Sequence, residues 1–224
     1  FYNVLCPFDS WENETTVAGC VATAMAQVMK YWNWPRQGSG SHSYNSPYGF
    51  LSADFGATTY QWGNMPNSIM NSNNPIATLM LHAGIAVDMG YGTANSGGSG
   101  AFVTISESPI TNCAEYAFTN YFRYDANTTK GVNRRGMTEA NWIALLKKEM
   151  DDARPVLYAG FGSAGGHAWV ADGYDARVGD GGIPENAPQR RERGGVHRRG
   201  AARRPARGRA RSASRSTQSL PPVR

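Results

Sequence analysis

Cys20 is followed by the run Val21 to Trp32, rich in alanine, methionine and valine, so its thiol stands where a helix should begin. A thiol is a weak nucleophile until it is ionised, and the unsatisfied amide N–H groups of a helix N-terminus favour the thiolate. On such a helix Ala24, Gln27 and Tyr31 share the face of Cys20, whereas Val21, Met25, Val28, Met29 and Trp32 form the bulky apolar stripe. An unpaired cysteine is more often a small buried hydrophobe than a nucleophile, so a catalytic role needs a base to take the thiol proton. The chain offers four histidines. His42 lies in a Gly/Ser-rich stretch, His82 in an apolar helical run and His197 in an arginine-rich segment. His167 follows Gly165 and Gly166 and precedes the alternating Ala168-Trp169-Val170-Ala171-Asp172, which places it at the mouth of a strand.

The elements that must position this pair read as an α+β layout rather than repeated βαβ units. Pro35 ends the Cys20 helix, and residues 33–60, dense in Gly, Ser, Tyr and Asn, read as a long irregular loop. Pro75 to Val87 is expected to be an apolar helix, Gly90 to Gly100 a glycine-rich mobile loop and Ile110 to Tyr121 a second helix. Thr138 is the expected N-cap of an amphipathic helix reaching Asp151, with Trp142, Leu145, Leu146 and Met150 on its apolar side. Pro155 to Phe161 and His167 to Asp172 read as two strands joined by residues 162–166. Asp172 and Asp175 could orient His167, although Asp-Gly at a strand end is ordinarily turn chemistry. Cys6 and Cys113 complete a count of three cysteines whose spacing matches neither a zinc cluster nor a Cys-x-x-Cys pair, so no metal and no cofactor is implied. A Cys6–Cys113 disulfide is conceivable, but two free thiols are the preferred reading.

Four ordered blocks, Val17 to Pro35, Tyr60 to Pro66, Gly84 to Gly92 and Gly165 to Gly173, resemble the streptopain family of bacterial cysteine peptidases, a papain-like group. The resemblance covers about the first 175 residues. It implies a papain-like cysteine protease fold, with Cys20 on the helical half and His167 on an antiparallel sheet half, as nucleophile and general base of a peptide hydrolase. It further implies protein or peptide substrates, a secreted location and a precursor carrying a secretion signal and an inhibitory pro-segment. The family's oxyanion glutamine precedes the region matched by Tyr2 to Pro7. Here no glutamine precedes Cys20, and that role is not transferred to Gln27.

Charge divides the chain. Residues 1–175 carry nine Lys and Arg against 14 Asp and Glu, while residues 176–224 carry 13 Arg against three acids and contain no lysine and no aromatic residue. A partial peptidase domain over 1–175 and a disordered Arg-rich tail over 176–224 are therefore expected. The resemblance stops where the family continues into further strands and an Asn-Trp-Gly-Trp-Gly-like segment. An out-of-frame origin of the tail is favoured over a nucleic-acid tether, which makes nucleic acid an improbable partner. No signal peptide or membrane segment is visible in a chain that opens at Phe1, so both ends read as incomplete. Two alternatives stand beside an active endopeptidase: a catalytically impaired fragment of that family, and a non-catalytic binding module with a basic nucleic-acid-binding tail.

Overall fold

The computed structural model describes residues 2–105, 112–163 and 165–174. The expected helix start at Ile110, Asp175 and the whole 176–224 segment lie outside the described residues.

Helix α1 (Cys20–Trp32) is the central element. Its alanines and methionines leave Val21, Ala22, Ala24, Met25, Ala26, Val28 and Met29 buried, so apolar surface extends beyond the single stripe that periodicity outlines. The helix is stopped by Asn33, at φ 48°, whose N–H donates to the Lys30 carbonyl while the Trp34 N–H reaches back to Met29. That paired closure satisfies carbonyls the helix itself cannot. Helix α2 (Asn74–Ile85) opens on Asn73, whose side chain accepts from the Ile76 N–H at 2.9 Å, with Pro75 in the first turn. It buries Ala77, Leu79, Met80, Ala83 and Ile85.

Residues 33–60 are not one irregular loop. Strands β1 (Phe8–Asp9) and β2 (Glu14–Thr15) form a small N-terminal pair, and β3 (Ser41–Ser46) pairs with β4 (Gly49–Asp54) in an antiparallel hairpin. The β3–β4 turn closes on Gly49, at φ 100°, whose carbonyl accepts from Ser46 Oγ at 2.9 Å. Ser41, Ser43 and Asn45 face out while His42, Tyr44 and Ser46 face in. The strand period is thus present, but polar inward residues hide it from an apolar count.

Helix α3 (Ala114–Asn120) is shorter than the expected segment, and α4 (Glu139–Asp151) is capped by Thr138, which accepts from the Asn141 N–H. Of the α4 apolar side only Leu146 is fully buried. Strands β5 (Val156–Gly162) and β6 (Gly165–Ala171) make the last antiparallel hairpin, with Gly160 opposite His167 and Tyr158 opposite Trp169. Both strands run further into the glycines than expected, so only residues 163–164 connect them.

Helix α1 packs against both α2 and the β5–β6 hairpin. The core gathers Met25, Met29, Phe55, Leu79, Ile85, Met89 and Phe122, joined from the hairpin by Ala168 and, partly buried, Leu157, Ala159 and Val170. No helix among the described residues is long and apolar enough to cross a membrane.

Candidate active site

Cys20 is the first residue of α1 and is half-buried against the core. Among the described residues no side chain caps this helix, so the amides of its first turn are not taken by a neighbouring side chain. The residue before it, Gly19, has φ 86° and ψ 149°, a conformation that only glycine adopts readily. Its carbonyl receives both the N–H and the hydroxyl of Thr23, at 3.1 and 2.8 Å. A side chain at position 19 would meet Met89 Sδ at 2.8 Å and the Ser99 carbonyl at 3.1 Å.

The approach to Cys20 is tied to the glycine-rich segment 90–100. Gly90 and Gly100 exchange two backbone hydrogen bonds, at 2.9 and 3.1 Å, closing the segment into a loop. The Val17 N–H donates to the Gly92 carbonyl at 3.0 Å, and Ser99 Oγ donates to the Val17 carbonyl at 2.6 Å. Thr93 adds a hydroxyl bond to Glu12 Oε2 at 2.7 Å. This loop is therefore braced against the chain that leads into Cys20, a role that its glycine content does not reveal.

His167 is the third residue of β6, two places inside the strand rather than at its mouth. Pleating puts it on the face of Trp169, opposite the face by which Ala168 and Val170 enter the core. It is exposed, and its ring stacks on Trp169 with centroids 5.8 Å apart and planes 24° from parallel. Among the described residues neither the His167 imidazole nor Cys20 Sγ makes a side-chain hydrogen bond. The fold brings the elements of the pair together, since α1 packs on both β6 and β5.

The other two described histidines hold structural places. His42 Nε2 meets Asp88 Oδ1 at 2.5 Å, and Asp88 also accepts from the Asn112 side chain, which links β3 to the chain after α2. His82 is enclosed by Phe55 and Tyr60, with the Tyr60 hydroxyl 3.1 Å from Nδ1. Burial pushes its pKa down to about 4, which keeps the ring neutral. Cys6 and Cys113 are buried and form no disulfide. Burial, partly offset by a hydrogen bond with Tyr91, pushes the Cys6 thiol up to about 11. Asp172 lies just beyond β6, exposed, and Gln27 is exposed on α1. Among the described residues no three His, Cys, Asp or Glu side chains are grouped to hold a metal ion.

A cysteine opening a central helix that packs against an antiparallel hairpin bearing a histidine is the α+β arrangement of papain-like cysteine proteases. The chain belongs to the Peptidase C10 family, whose model matches residues 1–182. It is 34% identical over 197 residues to streptopain of Streptococcus pyogenes, an alignment covering 79% of this chain and 46% of that protein. It is 32% identical over 166 residues to the thiol protease/hemagglutinin PrtT of Porphyromonas gingivalis, covering 70% of this chain and 18% of that one. The structure is similar to active wild-type interpain A cysteine protease of Prevotella intermedia, with a TM-score of 0.63 and 37% identity over 78% of this chain and 72% of that one. It is also similar to a prointerpain A fragment, with a TM-score of 0.64, covering 54% of the latter. The chain thus spans about half the length of the streptopain that it matches.

Proposed function

We propose that this chain is the peptidase part of a cysteine endopeptidase, with Cys20 as nucleophile and His167 as general base. The observation that carries this reading is Cys20 at the uncapped start of α1, on a helix packed directly against the hairpin that holds His167. Kinship with streptopain and interpain A supports it. In the proposed reaction His167 takes the proton from Cys20 Sγ, and the sulfur bonds to the peptide carbonyl carbon. The C–N bond then breaks as the imidazolium gives its proton to the leaving amine. Water, deprotonated by the same imidazole, cleaves the thioester and returns the free thiol. The Cys20 backbone N–H supplies one donor to the carbonyl oxygen as it becomes negative.

Protein or peptide substrates, export from a bacterial cell and a precursor with a pro-segment follow from the same kinship, the last supported by the existence of a prointerpain form of the related enzyme. The peptidase unit is assigned to residues 1–175, on the change of composition beyond them.

The test is hydrolysis of a fluorogenic peptide, together with labelling by an epoxide inhibitor of papain-like proteases. Cys20→Ala and His167→Ala should each abolish turnover, and the double variant should be no worse than either, because the two act as one unit. Turnover near the parent rate in either single variant defeats the assignment. A second reading, an impaired member of the family, is favoured by one observation: among the described residues nothing hydrogen-bonds the exposed His167 ring. Labelling of Cys20 with negligible turnover would select it.

A further inference from the structure

His167 stands at one end of a column of aromatic side chains. Its ring stacks on Trp169, whose centroid lies 4.9 Å from that of Tyr158 on the neighbouring strand. Tyr158 is in turn met edge-on by Trp142 of α4, at 5.8 Å, and its hydroxyl accepts from Trp142 Nε1 at 3.1 Å. All three spacings lie within the range where aromatic pairs attract. The register explains the direction of the column: Tyr158 is directly opposite Trp169 and backs it, while the residue opposite His167 is Gly160. With no side chain there, the indole leans across the strand, and a Cβ at position 160 would already touch Trp169 Cη2 at 3.6 Å.

We propose that Trp169 is a positioning residue for His167, held by Tyr158 and Trp142, an inference that rests on the catalytic assignment of His167 above. An exposed imidazole on a strand has two side-chain torsions to settle, and here no hydrogen bond among the described residues settles them. The indole face does so, limiting rotation of the ring about its last torsion. Helix α4 therefore acts on the reaction without touching it: through Trp142 and Tyr158 it fixes the plane against which the base lies.

The experiment compares Trp169→Leu and Trp169→Phe with the parent chain in two readouts. The first is NMR of protein carrying ¹³C-labelled histidine, with the His167 resonance assigned by its loss in His167→Ala. Stacking shifts its Cε1–H signal through the indole ring current, so Trp169→Leu should move it and Trp169→Phe should move it less. The second is peptide hydrolysis. A base left free to swing by about 1 Å costs on the order of 100-fold, so Trp169→Leu should lower kcat about 10- to 100-fold with KM within about 3-fold, and Trp169→Phe should recover most of the loss. Trp169 is 40% exposed, so its truncation leaves the core intact, and an unchanged Tm verifies this. An unmoved resonance in Trp169→Leu overturns the proposal, as does a moved resonance with kcat unchanged. Failure of the peptidase assignment itself looks different: hydrolysis then survives Cys20→Ala, which no Trp169 variant can produce.

Discussion

Gly19→Ala should both destabilise the chain and misplace Cys20, by an amount the structure allows to be worked out. Gly19 combines φ 86° with ψ 149°, close to a region that essentially only glycine occupies, and forcing a side chain to stay there costs about 1–3 kcal/mol. The added methyl meets two neighbours of different stiffness. Met89 Sδ and Cε, at 2.8 and 2.9 Å, belong to a flexible side chain, but Met89 is fully buried and can move only by disturbing the core. The Ser99 carbonyl, at 3.1 Å, is backbone of the braced 90–100 loop and cannot turn away. Overpacking of this kind adds about 1–3 kcal/mol. A total near 4 kcal/mol lowers Tm by about 8–16 °C in a domain of about 150–250 residues. Gly97→Ala separates the two contributions: its φ is 100°, but none of the described residues lies within 4 Å of the new methyl, so only the backbone part applies. The assay is thermal unfolding of both variants, paired with the iodoacetamide rate at Cys20. A Tm loss no larger in Gly19→Ala than in Gly97→Ala, with unchanged alkylation, would refute the steric reasoning.

The chain should lose stability in mild acid because of His82. The unfolded histidine takes up a proton near pH 6.5 and the folded one only near 4, so the unfolded state binds more protons in that window. Stability therefore falls as pH drops from about 6.5 to about 4, by up to about 3 kcal/mol, and no further from this group below that. His82→Phe should be less stable at pH 8, since it strips Tyr60 of its partner, yet flatter across the window in urea unfolding at several pH values. An unchanged slope would count against a neutral buried ring. In the native protein iodoacetamide should modify Cys20 well before Cys6 or Cys113, which are 7% and 0% exposed. Mass mapping that finds either buried thiol modified first would contradict the burial that the fold assigns them.

Much of the frame that carries Cys20 was legible because its signals are local. The helix start at Cys20, the stop before Pro35, Pro75 in the first turn of α2 and the Thr138 cap are each written within a few residues. The β3–β4 hairpin was missed for an equally physical reason. His42, Tyr44 and Ser46 face inward with polar groups, and their partners, such as Asp88 for His42, lie far along the chain. An alternation whose buried members are polar carries no hydrophobic signal. The glycines before His167 and the alternation after it placed it on a strand, but they did not point to its stacking partner, although Trp169 two residues on was visible all along. The period of two puts them on one face, and only the opposing Gly160 explains why the indole leans toward the ring.

The paired Gly90–Gly100 bonds make the loop between them a closed ring of chain whose base is fixed and whose outer part, residues 94–97, is exposed. Lengthening such a tip adds only a slowly growing closure entropy, about 0.6 kcal/mol for each doubling of loop length. Residues could therefore be inserted or exchanged at 94–97 without disturbing Val17, Gly19 or the helix start, because the Ser99 and Gly92 contacts belong to the base. The loop is thus a place where a foreign peptide could be grafted at little cost to the fold.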